Sequence, residues 1–160
     1  MDLEAGFAFL DPGPLRDGEL ELVLTRRAPG DIGNGRVPSY WFTLRIAGKD
    51  AGMINLRIGG GFELEQYDGH FAYTVYPRWR GRHYARRACM LLFPLARAHG
   101  MQTLWITCHP DNHASRRTCE GVGAVLMEIV TRPPAECGEV EIEGDRERCR
   151  YRIDLTKATA

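Results

Sequence analysis

Residues 75–85 read Val75-Tyr76-Pro77-Arg78-Trp79-Arg80-Gly81-Arg82-His83-Tyr84-Ala85. Before them, His70 to Tyr76 is aromatic and β-branched, which predicts a strand stopped by Pro77. After them, Tyr84, Ala85, Ala88, Cys89, Leu91, Leu92, Leu95, Ala96 and Ala98 recur at helical spacing. They predict a helix over 84–99 with Gly100 as its stop and a kink at Pro94. A strand therefore runs through an Arg- and Gly-bearing loop into a helix. The first N–H groups of a helix have no intrahelical partners, and the dipole adds about half a positive charge there. Such an end binds phosphate, and Arg78, Arg80 and Arg82 add bidentate donors for phosphoryl oxygens. Two readings stay open from these residues alone: an anion site, or a solvated basic helix start.

The rest of the chain sets this junction in a mixed sheet. Residues 19–25 alternate and then turn apolar, and 40–46 are aromatic and β-branched; both predict strands. Residues 28–38 hold Pro29, Gly30, Gly33, Gly35 and Pro38 and read as a loop. Ala47-Gly48-Lys49-Asp50 is a turn, and 53–58 returns as the second arm of a hairpin. Gly59-Gly60-Gly61 opens a loop. Beyond the first helix, 103–108 reads as a buried strand. Asp111-Asn112 offers N-cap chemistry for a helix over 113–122. Residues 124–131 and 149–155 read as strands around an acidic loop, 136–147. Residues 1–18 carry little pattern, and no segment repeats. The order predicts one α/β (α+β) domain over 1–160 with a mixed sheet.

Composition bounds the function. The chain has 160 residues, enough for one domain with a core. Lys+Arg and Asp+Glu both total 21, so the formal charge is zero. A general nucleic-acid binder is expected to be basic, so RNA binding through Arg78, Arg80, Arg82, Arg86 and Arg87 is disfavoured. No apolar run approaches the roughly 20 residues of a membrane span, and no basic signal start is present, so no membrane partner is expected. Cys89, Cys108, Cys119, Cys137 and Cys149 are scattered, with no Cys-x-x-Cys pair. Neither metal nor a disulfide framework is indicated, and reduced thiols point to a cytoplasmic protein.

Two blocks together resemble a known family. Arg80-Gly81-Arg82-His83-Tyr84-Ala85 is similar to the Gln/Arg-x-x-Gly-x-Gly/Ala motif of the Gcn5-related N-acetyltransferases (GNAT). Asn112 to Ala124 resembles that family's Asn-x-x-Ser, helix, Gly-Phe segment. Order and spacing agree over roughly residues 40–155, and other stretches look nearest to a branch of predicted bacterial acetyltransferases. The resemblance implies a largely antiparallel sheet with a V-shaped splay and flanking helices. It implies acetyl-CoA as co-substrate and no metal. The Val75 N–H would polarise the thioester carbonyl, and Tyr76 would pair with the pantetheine arm. The backbone from Arg80, Gly81, Arg82 and His83 to Tyr84 and Ala85 would hold the pyrophosphate, while Asn112 and Ser115 would face the pantetheine. The implied reaction is direct attack by a primary amine, of a small molecule or of a protein, with no nucleic-acid partner. A non-catalytic acyl-CoA sensor is the alternative.

The chain departs from the family pattern in three places. His83 stands where the motif usually has Gly. Cys119 stands where many relatives carry a Tyr as acid for the leaving thiolate, so Cys119, Ser115 or water are candidate donors. Residues 26–38 are too short for the two helices that wall the acceptor site, so that helical pair is expected to be shortened or absent. An open site, or one walled by a second subunit in a homodimer, follows. The candidate base for the amine is His70, which titrates near neutrality, with Asp68 and Glu65 behind it. Phe71 and Tyr73 share a strand, and one of them is expected to be core.

Overall fold

The computed structural model describes residues 7–133 and 146–157. Eight strands and two α-helices follow in chain order: β1 (Arg16–Asp17), β2 (Leu20–Ala28), β3 (Ser39–Ile46), β4 (Lys49–Arg57), β5 (Phe71–Val75), α1 (Tyr84–Ala98), β6 (Thr103–Cys108), α2 (His113–Gly121), β7 (Val125–Thr131) and β8 (Glu147–Asp154). β1 to β5 form an antiparallel meander, and β6, β8 and β7 form a second sheet in that spatial order. Strands 3 and 4 pair from Ile46↔Lys49 to Ser39↔Arg57. Ala47 and Gly48 both take positive φ, 50° and 79°, as a two-residue primed turn requires.

Period-2 alternation is clear on β3, where Tyr40, Phe42, Leu44 and Ile46 are buried. They face Leu92, Phe93 and Ala96 of α1 in one continuous core. α1 runs through Pro94. A proline there leaves the Met90 carbonyl without its i+4 donor. Both residues lie on the exposed face, where water replaces that donor. Between β2 and β3 there is only a helical turn, Ile32–Asn34, and an Asp31↔Arg36 bridge. The helical pair is absent, as the Gly and Pro content of this segment implies.

Three features escape the sequence reading. The N-terminal stretch is packed: Phe7 stacks on His99 at 4.7 Å, and the Leu10 N–H donates to the Tyr40 hydroxyl. The loop after Gly61 contains one turn of π-helix, Leu64–Asp68. The strand expected at 149–155 begins earlier, at Glu147. Most of the acidic loop, including Glu136, Glu139, Glu141, Glu143 and Asp145, lies outside the described residues. Cys137 lies there too.

The two sheets meet at one point. The His70 N–H donates to the Trp105 carbonyl at 2.7 Å, and the Trp105 N–H donates back to His70 Nδ1 at 2.9 Å. A Cβ on Gly69 would stand 3.1 Å from the Thr107 nitrogen and the Trp105 oxygen, so a residue without a side chain is needed at the crossing. Beyond this splint β5 and β6 diverge. That divergence is the V expected from the resemblance.

Candidate functional site

The V opens into a groove of about 710 Å³. Its walls are β5 (Tyr73, Thr74, Val75), the following loop (Trp79, Arg80, Gly81, His83), the start of α1 (Tyr84, Ala85, Arg86) and one face of α2 (Asn112, Ala114, Ser115, Arg117, Thr118). Among the described residues, three arginines and no carboxylate line it. Together with the free N–H groups of α1, they make a wall suited to a phosphate-bearing anion.

The β5 backbone presents groups to the gap. The N–H groups of Ala72 and Tyr76 turn towards β4, onto Asn55 Oδ1 and the Ala51 carbonyl. By strand alternation, the N–H groups of Tyr73 and Val75 turn the other way, into the V. The Val75 carbonyl accepts from Arg80 Nε at 2.8 Å, which ties the loop to the strand end.

His83 takes φ 62°, ψ 23°, in the left-handed region. That conformation explains why a glycine suits this position and why His83 is a tolerated exception, at about 1–2 kcal/mol for a residue with a Cβ. Gly81 has φ 84° and open space where a side chain would stand. On α2, Asn112 Oδ1 accepts the Ser115 N–H at 3.1 Å, the cap predicted from sequence.

Of the expected cofactor-facing residues, Val75, Arg80, Gly81, His83, Tyr84, Ala85, Asn112 and Ser115 line the groove. Tyr76 and Arg82 are exposed and do not. Seven further residues line the groove that the sequence does not assign to the cofactor: Tyr73, Thr74, Trp79, Arg86, Ala114, Arg117 and Thr118. A signal for part of this set exists, because 114, 117 and 118 share a helical face one turn wide.

The expected base is a correction. His70 is 1% exposed and lies outside the groove wall. Its Nδ1 accepts from the Trp105 N–H, so its proton is on Nε2, which donates to the Gly59 carbonyl at 2.9 Å. Burial lowers its pKa below 6.5. A buried imidazole with both nitrogens occupied holds the sheets together and has no lone pair for an amine. Asp68 is paired with Arg132 at 3.0 Å, and neither it nor Glu65 lines the groove. Cys119 is also displaced from the expected role. It is fully buried outside the groove wall, and the adjoining Cys108 and burial push its thiol well above the usual range. Phe71 packs on Phe93, whereas Tyr73 reaches the groove and lies 2.7 Å from the Ser115 hydroxyl. Among the described residues, no cluster of three or more His, Cys, Asp or Glu could hold a metal ion.

A sheet split into a V, with an arginine-bearing helix N-terminus in the split, defines the class: a mixed α+β fold with a cleft for a phosphate-bearing anion. The family model described as "Acetyltransferase (GNAT) domain" matches residues 7–125, and the chain belongs to this family. No curated protein sequence matches it. Solved structures share the fold. The Microcin C7 self immunity acetyltransferase MccE, in complex with acetyl-CoA and AMP, is 16% identical with a TM-score of 0.56 over 72% of this chain and 61% of its own. RimL, a ribosomal L7/L12 alpha-N-protein acetyltransferase, is 14% identical with a TM-score of 0.55 over 72% of this chain and 60% of its own. The acetyltransferase yncA from Salmonella typhimurium, solved with acetyl-CoA, is 16% identical with a TM-score of 0.56 over 76% of this chain and 68% of its own. The chain thus spans about three fifths of the first two.

Proposed function

We propose that this protein is an acetyl-CoA-dependent N-acetyltransferase. The observation that carries the proposal is the arginine-lined groove that opens from the β5–β6 V at the N-terminus of α1. The acetyl-CoA bound in two of the fold neighbours supports it. The N–H groups of residues 81–85 hold the pyrophosphate, and Arg86 and Arg117 add charge along the groove. The Val75 N–H, turned into the V, donates to the thioester oxygen as negative charge develops on it. Fixing thioester and amine together supplies about 7–11 kcal/mol of the barrier reduction.

The acceptor is a primary amine of a small molecule or a protein. RimL, whose named substrate is a protein N-terminus, supports the second class. The missing helices leave the acceptor side open, which suits a bulky acceptor or a second copy of the chain. The edge strand β7 exposes Val125, Leu126, Met127 and Ile129, which supports a homodimer. A cytoplasmic setting fits the four free cysteines among the described residues, two of which, Cys108 and Cys149, face each other across paired strands.

Thermal unfolding tests the reading. Acetyl-CoA at about 100 times its Kd stabilises a fold by about 2.7 kcal/mol, a clear rise in Tm. The rise is expected in the wild type and lost in a still-folded Gly81→Asp, whose side chain enters the open groove and repels phosphate. CoA release with an amine panel then separates an enzyme from a sensor. No Tm rise at saturating ligand overturns the reading. Binding without turnover leaves the sensor.

A further inference from the structure

We propose that Cys108 and Cys149 form a redox modification site, which hydrogen peroxide converts into a reversible disulfide between β6 and β8. The proposal goes beyond the acetyl-transfer reading and does not depend on it. Three buried thiols meet behind the groove wall: Cys108 at the end of β6, Cys149 on β8 and Cys119 on α2. The strand register sets Cys108 directly opposite Cys149. Trp105 turns both of its backbone groups to His70, so by alternation those of Leu104, Ile106 and Cys108 turn to β8. The Cys108–Cys149 pair is therefore a hydrogen-bonded one, with Cα atoms about 5.5 Å apart. Disulfides span roughly 4.4–6.8 Å between Cα atoms, so the bridge closes without moving either strand. Both side chains lie on the buried face, Cys108 with Leu104 and Ile106, Cys149 with Tyr151 and Ile153. Cys119 touches Cys108 from the helix, and the strand register is what favours Cys149 as its partner.

The surroundings select which thiol reacts first. The Ser115 hydroxyl and the thiols of Cys119 and Cys149 donate to Cys108, and the Arg116 guanidinium lies near it. Together they hold Cys108 down to about 7, so much of it is thiolate at neutral pH. Cys119 and Cys149 are pushed up by burial and by Cys108 itself, and Cys89 by burial alone. The thiolate is the nucleophile in thiol oxidation. Access points to the same residue. Cys108 is 7% exposed, whereas Cys89, Cys119 and Cys149 are fully buried. Its neighbour Ser115 stands on the groove wall, which gives a small peroxide a way in.

The chemistry balances with the peroxide as oxidant. The Cys108 thiolate attacks one peroxide oxygen. The S–O bond forms, the O–O bond breaks, and the hydroxide that leaves takes a proton from solvent. Cys108 is now a sulfenic acid. Cys149 sulfur attacks Cys108 sulfur, the S–S bond forms and the S–O bond breaks. The departing hydroxide takes the Cys149 proton and leaves as water. Two thiols are oxidised and one peroxide is reduced to two waters. A dithiol reductant returns both thiols by exchange. A disulfide that forms and breaks in this way is the kind found in reducing compartments.

Peptide mapping tests the site in the intact protein. Folded wild type is treated with hydrogen peroxide at neutral pH, quenched in acid and digested with pepsin without reductant. The expected product is lighter by two hydrogens and joins the peptides of Cys108 and Cys149. The thiol count of the denatured protein falls by two from its five, and dithiothreitol restores it. In Cys149→Ala the sulfenic acid persists on Cys108 and is captured by dimedone. Cys108→Ala forms neither bond nor adduct, and Cys119→Ala keeps the bond. The wild-type map needs no variant, so a substitution that unfolds the protein leaves the test standing. A bond mapped to Cys119 or Cys137 instead overturns the proposal. So does a folded protein that keeps all five thiols under peroxide that oxidises the urea-unfolded chain.

Discussion

His70 shows how far a residue's chemistry depends on its neighbours. Its intrinsic pKa near neutrality makes it a natural base. Its position between two sheets makes it a splint. Replacing it by Ala removes a buried side chain and leaves the Trp105 N–H without its partner, at about 1–3 kcal/mol for the unpaired donor, while the exposed Gly59 carbonyl turns to solvent. The unfolding free energy of His70→Ala, from urea denaturation, is therefore expected to fall by about 1–3 kcal/mol. The pH dependence has a definite sign. The folded pKa lies below 6.5, so the unfolded chain binds the extra proton first and acid favours unfolding. The contribution is full above pH 6.5 and is lost as pH falls from there through the folded value. His99, also lowered by burial, acts in the same direction. Denaturation curves from pH 8 to 5 should show a shallower acid loss in His70→Ala than in wild type.

Elements deliver the site through their ends and their crossings. The strand that presents Tyr73 and Val75 depends on a close approach at Gly52 of β4, which pairs with Val75. A Cβ at Gly52 would stand 2.1 Å from the Thr74 oxygen. That contact is backbone and cannot give way as a side chain can. Gly52→Ala should cost at least about 1–3 kcal/mol, as overpacking does, and push β5 towards the groove. Lower Tm together with weaker acetyl-CoA binding is the expected outcome, whereas loss of stability alone would show that β5 holds its place. The α1 N-terminus has a parallel dependence on the loop before it. Its Arg80 is tied to the end of β5, and His83 takes the left-handed turn that starts the helix.

At the scale of the whole molecule, a chain of zero net charge builds a groove that, among the described residues, holds three arginines and no carboxylate. Charge here is a matter of placement, with acidic partners set elsewhere. Asp17 and Glu19 bind Arg87 on the outer side of α1, and Glu128 binds Arg150, which lies over the Trp105 ring. On the acetyl-transfer reading, His70, Asp68 and Glu65 stand away from the groove, so none of the three takes the amine's proton. The pH profile of kcat/KM should rise with the acceptor amine's own pKa and show no break near 6.5. A break there that persists across amines of different pKa would reveal a protein base.

The strand–loop–helix junction at 75–85, the capped helix after Asn112, the hairpin turn after Ile46 and the missing helical pair were all legible in the sequence, although the turn is two residues, 47–48, and not four, with β4 starting at Lys49. Each depends on contacts within a few residues: a proline, a cap, a left-handed turn, a helical period. Residues 80–85 and 112–115 led to the groove for the same reason. The role of His70, the burial of Cys119, the packing of Phe7 on His99 and the meeting of Tyr73 with Ser115 were not legible. Each joins residues 35 to 92 positions apart in the chain, or sets a polar group's pKa by burial. Local pattern by itself thus determined the elements and the basic loop at the start of α1. Only the tertiary structure decided which titratable groups meet the groove and which are sealed from it, because desolvation and long-range hydrogen bonds exist only once the two sheets have closed on each other.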